Sequence, residues 1–384
     1  MIYFDNAATT YPKPESVRRA AAEAIVRYGG NPGRSGHKMS IAASEAVYSV
    51  REKAGKFFGA EPENVIFTAN CTESLNMAIK GLAEQELREG RPFHVIISSL
   101  EHNSVFRPVH ELTKRGLSYS IAEVSADDTV TVNNFEALIK PHTKAVICTL
   151  GSNVTGQLLP YERIGAMCRR RHICFVGDGA QVCGVVPIDM KRDNINILCM
   201  PGHEGLYGIS GTGLLITDGQ YPIYHILEGG TGSTSLEAEQ TPFLPEELES
   251  GTVNTVGIVT VGAGIDFIGK TGAERIHSRE SALCDHLINE LDGESRVQIY
   301  RRERCSYLPI VLFNVEGIAP EEAAAYLNDA GFALRGGLHC SGLAHRSIGT
   351  LPDGGVRFSP SVFNTPAQTH MLANAVKKLA RTKG

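Results

Sequence analysis

No apolar run in the 384-residue chain approaches the roughly 18 residues that a membrane-spanning helix needs. The opening residues Met1-Ile-Tyr-Phe-Asp5 lack the basic stretch, apolar core and cleavage site of an export signal, so a cytoplasmic chain with reduced thiols is expected. Positive charge is not in excess either. Thirty-seven Lys and Arg stand against 42 Asp and Glu, a formal net charge of −5, which supplies no general attraction for nucleic acid or an anionic membrane. The nine cysteines include no C-x-x-C pair, so no metal centre is expected, and an odd count in a long chain argues against a disulfide scaffold. Internal repeats and low-complexity tracts are missing too. Glycine, in contrast, is plentiful: 40 residues, above the usual fraction of about 7%, which predicts many turns and close backbone approaches.

Short apolar runs alternate with helix-like segments from about residue 15 to residue 217. Residues 65–68, 95–97, 145–149, 173–176, 195–199 and 214–216 are too short for buried helices, and several are β-branched, so they predict strands. Segments 74–87 and 159–171 predict helices between them. This alternation predicts an α/β fold with a mostly parallel sheet covered by helices. Residues 228–254, with a glycine-rich start and prolines near the end, predict a long exposed loop. Such a length is uncommon unless the loop is functional or packs on another chain. Beyond it, a helical stretch (255–291), strands at 308–313 and 356–358, and helices at 320–329 and 365–381 predict a smaller α+β unit. A boundary near residue 260 separates a large domain (15–260) from a small one made of 1–14 and 261–384.

Several short motifs carry chemistry. Thr68-Ala-Asn-Cys71-Thr72-Glu-Ser follows a predicted strand and opens a helix. Its free backbone N–H groups and threonine hydroxyl suit a phosphate, although a plain turn capped by Thr72 accounts for the same residues. Asp178, in Phe175-Val-Gly-Asp178-Gly-Ala-Gln181, lies just past a buried strand, at the edge where open α/β sheets bind ligands. A fixed anion there suits a protonated ring nitrogen; capping of the next turn is the alternative. Gly208-Ile-Ser-Gly-Thr-Gly213 has the spacing of a dinucleotide loop but precedes its strand, which excludes nicotinamide binding. Cys340 follows a Gly-Gly turn, with Arg335, His339 and His345 near it in sequence. Positive neighbours favour a thiolate, while an inert core thiol is the alternative. Arg357 offers a guanidinium fork for a carboxylate, or else makes a surface ion pair.

Asn6-Ala-Ala-Thr-Thr10, Gly30-Asn-Pro, Thr72-Glu-Ser, Glu101-His102-Asn, Ser152-Asn153-Val-Thr-Gly156, Asp178-Gly-Ala-Gln181, Gly202-His203, Arg335-x-Gly-x-His-Cys340 and Arg357-Phe-Ser share one order and spacing. In this the chain resembles the cysteine desulfurases, pyridoxal 5'-phosphate (PLP) enzymes of the class V aminotransferase group. The likeness runs from Tyr3 to Thr365. The Arg-x-Gly-x-His-Cys segment is most similar to the short-loop subgroup, which includes selenocysteine lyases. This resemblance implies the type I PLP fold and a homodimer. It implies that Cys71, Thr72 and His203 hold the cofactor phosphate and that His102 stacks on the ring. Asp178 then pairs with the ring nitrogen, and Asn153 and Gln181 bond the ring oxygen. Thr231 reaches the phosphate bound by the partner subunit, and Arg357, with Asn153, clamps the substrate carboxylate. Cys340 takes the sulfur of L-cysteine as a persulfide, releasing alanine, for transfer to an acceptor protein; selenocysteine is the alternative substrate.

The resemblance breaks at one residue. Where the family carries its Schiff-base lysine after Gly-His, this chain reads Pro201-Gly-His203-Glu204. A carboxylate cannot make that bond, so PLP is implied to be held non-covalently and ordinary turnover to be impaired or altered. Glu204 can act as a base if burial raises its pKa. No other lysine has an obvious claim, and Lys191 is expected to face solvent. Three readings stay open: an engineered replacement, a natural relative that binds PLP or its substrate adduct non-covalently, and a non-catalytic sulfur carrier or scaffold. Smaller departures at Cys71, Ile209-Ser and Ser341-Gly favour natural divergence. The remaining cysteines (148, 168, 174, 183, 199, 284 and 305) are expected to be reduced packing residues.

Overall fold

The amino-terminal segment of the computed structural model carries a short strand, β1 (Ile2–Tyr3), and two helices, α1 (Glu15–Arg27) and α2 (Lys38–Phe58). The structure describes residues 1–33 and 35–382. Strands and helices then alternate: β2 (Val65–Thr68), α3 (Cys71–Arg88), β3 (Phe93–Ser98), α4 (Asn103–Leu112), β4 (Leu117–Ala122) and α5 (Asp128–Ala137). They continue with β5 (Thr143–Thr149), α6 (Tyr161–Arg171), β6 (Cys174–Asp178), the single turn α7 (Met190–Asp193), β7 (Ile197–Pro201) and β8 (Gly213–Thr217).

These strands form one seven-stranded sheet in the order β2-β8-β7-β6-β5-β3-β4. Only β8 runs against its neighbours, pairing antiparallel with both β2 and β7. The central strands β3, β6 and β7 are buried along their whole length, as expected of a sheet covered on both faces. The α/β expectation therefore holds. No apolar run predicts strand β4, because it lies at the sheet edge with only Leu117 and Ala122 buried.

The predicted helical stretch 255–291 is two helices, α8 (Thr255–Thr271) and α9 (Ala273–Leu291), meeting at 81°. Gly272 sits between them at φ 89°, a left-handed conformation that only glycine adopts freely. No single helix among the described residues is long and apolar enough to cross a membrane. After α9 come β9 (Val297–Ile299), β10 (Val311–Val315), α10 (Pro320–Asp329), β11 (Phe332–Ala333) and β12 (Arg335–Gly337). The chain ends with α11 (Gly342–Ser347), β13 (Gly355–Phe358) and α12 (Pro366–Thr382). A second sheet runs β12-β13-β10-β9, and β1 pairs in parallel with β11. Phe4 and residues between Cys284 and Ala380 form a separate apolar core under this sheet.

Residues 228–254 contain neither helix nor strand, but they are anchored. The Glu249 carboxylate takes both guanidinium nitrogens of Arg51, at 2.7 and 2.8 Å, and the Phe67 N–H at 2.6 Å. Both side chains are less than a tenth exposed, and Arg51 also lies over the Phe67 ring, 4.7 Å from its centroid. Removing one partner leaves a buried charge uncompensated. Glu249→Ala is expected to destabilise the chain by about 3–5 kcal/mol, read as a lower denaturant midpoint, whereas a loss below about 1 kcal/mol would show the pair to be dispensable.

Candidate functional site

The motifs converge because all the parallel strands end on one edge of the sheet. Glu101 and His102 follow β3, Asp178 closes β6, and His203 and Glu204 follow β7. Cys71 and Thr72 open α3 after β2, and Arg357 enters from β13 of the second sheet. All of these but the fully buried Glu101 line a cavity of about 220 Å³, whose walls include Cys71, Thr72, His102, Asn153, Asp178, Gln181, His203, Glu204, Arg335 and Arg357. A carbonyl approach fixes one wall: a side-chain carbon at Gly264 of α8 would collide with the Leu206 carbonyl oxygen, two residues past Glu204. Thus α8 supports the turn that carries Glu204 by direct backbone contact.

Asp178 is 4% exposed. One oxygen accepts the Ala180 N–H at 3.0 Å and the Cys71 thiol at 3.6 Å, and among the described residues no cation forms an ion pair with it. Burial pushes its pKa up to about 6. His102 caps α4, its Nδ1 accepting the Ser104 N–H at 3.1 Å. Burial, with Arg335 and Arg357 nearby, lowers its pKa to about 4, so the ring is neutral and the proton resides on Nε2. At the α3 end, Asn70 caps the helix through the Glu73 N–H, and the Thr72 hydroxyl meets Ser104 Oγ at 2.8 Å. Thr72 is exposed, so this end of the cavity opens to solvent. His203 Nδ1 is buried without a hydrogen-bond partner.

Arg357 is 1% exposed. Its NH1 donates to the Asn153 carbonyl at 3.0 Å and NH2 to Asp5 at 2.8 Å, while Nε is buried and unpartnered. A carboxylate entering the cavity has that orphaned donor to satisfy. The alternative of a surface ion pair is excluded by this burial.

Glu204 sits between two cavities. Its carboxyl also lines a smaller one of about 40 Å³, shared with Asn6, Gln181, Tyr207 and Glu280, which has room for about one water. Gln181 Nε2 donates to Glu204 Oε2 at 2.5 Å and to the Ala7 carbonyl at 3.1 Å. Burial raises the Glu204 pKa well above the usual carboxylate range, against the smaller pull of Arg357. Lys13 stands beside it, unmarked in the local sequence: Nζ donates to the His203 carbonyl at 2.8 Å and to Thr10 Oγ1 at 2.7 Å. Burial lowers its pKa to about 8. Lys13 does not line the main cavity. Lys191, as expected, faces solvent.

Cys340 is exposed and does not itself line the cavity; Arg335, which does, donates from NH2 to its Sγ at 3.6 Å. The expected positive histidines are a correction. His339 and His345 are buried and stacked on each other, and burial lowers their pKa values to about 3 and about 4, so neither charges the thiol. His339 and Cys340 both adopt left-handed backbone, φ 50° and 56°. Asn153 holds this turn: Nδ2 donates to the His339 carbonyl at 2.9 Å and Oδ1 accepts from Ser341 at 2.8 Å. Its amide is thus engaged by the thiol loop while the residue lines the cavity. Thr231 lies outside the cavity, its hydroxyl bonded to Ser233 within its own loop.

Glu280 is the buried acid that no motif marks. It is 4% exposed, accepts the Val362 N–H at 2.9 Å, and has its pKa pushed up to about 8 by burial. It is protonated in the folded chain at pH values where the unfolded chain has lost the proton. Its contribution is therefore complete below about pH 4.5 and is lost as pH rises through about 8, on the order of 1 kcal/mol per pH unit. Glu280→Gln keeps the acceptor and is expected to flatten the fall in stability between pH 5 and 8; an unchanged slope would show the acid to be ionised in the fold.

The model of the family "Aminotransferase class-V" matches residues 2–372. A probable cysteine desulfurase of Methanothermobacter thermautotrophicus is 28% identical over 390 residues, covering 99% of this chain and 94% of the relative. One of Pyrococcus abyssi is 29% identical over 389 residues, covering 100% and 95%. The apo structure of a cysteine desulfurase from Thermococcus onnurineus superposes with a TM-score of 0.92 at 30% identity, covering 99% of this chain and 94% of that one. With the family match spanning nearly its whole length, the chain belongs to the class-V aminotransferases.

Proposed function

We propose that the chain is a cysteine desulfurase-like protein that binds PLP non-covalently and moves the sulfur of L-cysteine onto Cys340, its turnover altered by Glu204. One arrangement carries this reading: the buried Asp178 carboxyl and the orphaned buried nitrogens of His203 and Arg357 line a single cavity, and Arg335 links its wall to the exposed Cys340 thiol. The residues fit PLP. Asp178 has no ion-pair cation among the described residues and would gain one from a protonated ring nitrogen, and the orphaned His203 Nδ1 and the amide end of α3 suit a phosphate. The flat neutral face of His102 suits stacking on a ring. When bound, PLP supplies an electron sink for the substrate carbon.

The remaining steps belong to this chain's residues. Arg357 receives the substrate carboxylate, using Nε and exchanging part of its hold on Asp5. Cys340, with Arg335 against its sulfur, loses its thiol proton to solvent and attacks the substrate sulfur as the thiolate. An S–S bond forms as the C–S bond breaks, and the electron pair stays with the carbon, which takes a proton to become alanine. Glu204 holds a proton at the cavity wall and can deliver it, but offers no amine. Asn153 acts by positioning the thiol turn.

We further propose a homodimer, divided within each chain into a large part (15–260) and a small part (1–14 with 261–384), and a sulfur-accepting protein that meets Cys340. Support for the dimer comes from exposed apolar side chains on α1, α2 and the long loop: Ile25, Val26, Met39, Ile41, Leu236 and Phe243. A second copy would also bring Thr231 to the open phosphate end.

The test is an absorption titration with PLP, followed by borohydride and mass spectrometry. PLP is expected to bind saturably and to be lost on dialysis or denaturation. A borohydride-stable adduct on any lysine, Lys13 first among them, would overturn the non-covalent reading, and failure to bind PLP at all would overturn the function.

A further inference from the structure

On the far side of the second sheet's core, three side chains outside the cavity form a separate cluster. His286 and Glu290 stand one turn apart on α9, and His370 comes from the first turn and a half of α12. One ligating atom from each lies within 4.8 Å of the others. His370 Nδ1 is 2.7 Å from Glu290 Oε1, and His286 Nε2 is 4.0 Å from that same oxygen. Spacing of i and i+4 puts His286 and Glu290 on one helix face, so the closeness is built into α9.

A second observation points to a ligand. His286 Nε2 is shut off from solvent yet has no hydrogen-bond partner, although its ring is about one-third exposed. A buried ring nitrogen is ordinarily satisfied, and an orphan facing a carboxylate and a second imidazole lacks a shared partner. We propose that His286, Glu290 and His370 bind a divalent transition-metal ion of the zinc type, clamping α9 to α12.

The donor set determines the class of ion. Two imidazoles and one carboxylate suit zinc, whereas magnesium and calcium favour all-oxygen shells. Lys377 holds the other carboxylate oxygen, Oε2, at 3.1 Å, which leaves Oε1 as a single ligand oxygen. His370 Nε2 meets the Asn374 side-chain amide at 3.0 Å; turning that amide to present its oxygen fixes the tautomer that frees Nδ1 for metal. Bonds of about 2.0–2.1 Å put tetrahedral ligand atoms roughly 3.3 Å apart. His286 Nε2 therefore moves in from 4.0 Å, while His370 Nδ1 gives up its proton and its 2.7 Å hydrogen bond and moves out, shifts open to side chains between about a quarter and a half exposed. The fourth position is left to water.

Metal-stripped full-length protein is titrated with zinc alone by calorimetry and, in parallel, with cobalt(II) for its visible spectrum. One zinc per chain is expected, with a rise in the thermal midpoint and a cobalt spectrum without a thiolate charge-transfer band. His286→Ala, Glu290→Gln and His370→Ala should each weaken binding about tenfold or more, and Cys340→Ser should leave it unchanged. Undiminished stoichiometry and affinity in the His286→Ala/His370→Ala variant would overturn the site, as would loss of binding in Cys340→Ser. Circular dichroism of each variant separates lost binding from lost folding.

Discussion

Replacing Glu204 by lysine is expected to convert a protein that loses PLP on dialysis into one that keeps it through denaturation after borohydride. The side chain at this position lines the main cavity, and the Gln181 amide already reaches it. An amine placed there would be short of water and near Arg357 and Lys13, which favour its neutral, nucleophilic form against the opposing charge of Asp178. Desulfuration of L-cysteine should rise on the order of 10²–10⁴-fold, the usual worth of a positioned proton-transfer group. Two results would sink the idea: no covalent retention in a folded Glu204→Lys variant, or retention without any change in turnover. Glu204→Gln is the complementary probe. It keeps a partner for Gln181 but removes the proton, so any residual activity of the unaltered chain that uses Glu204 as an acid or base should fall, with loss of that group's limb in the pH profile.

Cys340→Ser is expected to abolish the added sulfur entirely. After incubation with PLP and L-cysteine, peptide mass spectrometry should find one extra sulfur atom on Cys340 of the unaltered chain and none on the variant. Alanine formation should drop by roughly 10³-fold or more, because the hydroxyl that replaces the thiol is a poor acceptor for sulfur. The other cysteines offer no substitute. Six are buried outright, and Cys71 and Cys305 are only partly exposed. Burial raises the Cys71 thiol pKa well above its ordinary value, with the Asp178 charge adding to it. Extra sulfur on Cys71 in place of Cys340 would reassign the nucleophile. If selenocysteine is turned over and cysteine is not, the substrate changes but the role of Cys340 stands.

What could be read from the chain followed the range of the interaction involved. Helix α10 begins at Pro320 and ends at Asp329 as the proline start and apolar spacing predict, and the strand that ends in Asp178 is a dense apolar run. Strand 308–313 was placed early: Pro309 interrupts the run and pairing begins only at Val311. The conversion of Arg357 from a surface guess to a buried clamp depends on Asp5, 352 residues away. Lys13 is likewise invisible locally, since its partner carbonyl belongs to His203, 190 residues on. The positive neighbours assigned to Cys340 failed for a related reason. Adjacency in sequence says nothing about burial, and burial keeps His339 and His345 neutral. Motif spacing located Asn153, but only the fold shows that its amide grips the thiol turn.

The Arg51–Glu249 anchor has a consequence for association. The long loop is also tied across itself, with Ser250 donating to the Leu227 carbonyl and Gln240 bonded to Ser250, while Asn31 reaches Thr252. A segment without regular structure is thereby ordered before anything covers it. Ordering free loops on contact costs conformational entropy, about 1–2 kcal/mol for each residue fixed, and a prefolded loop avoids most of that cost. Cutting the anchor would therefore weaken the proposed self-association even where no interface residue has changed, chiefly by slower docking of an unprepared surface.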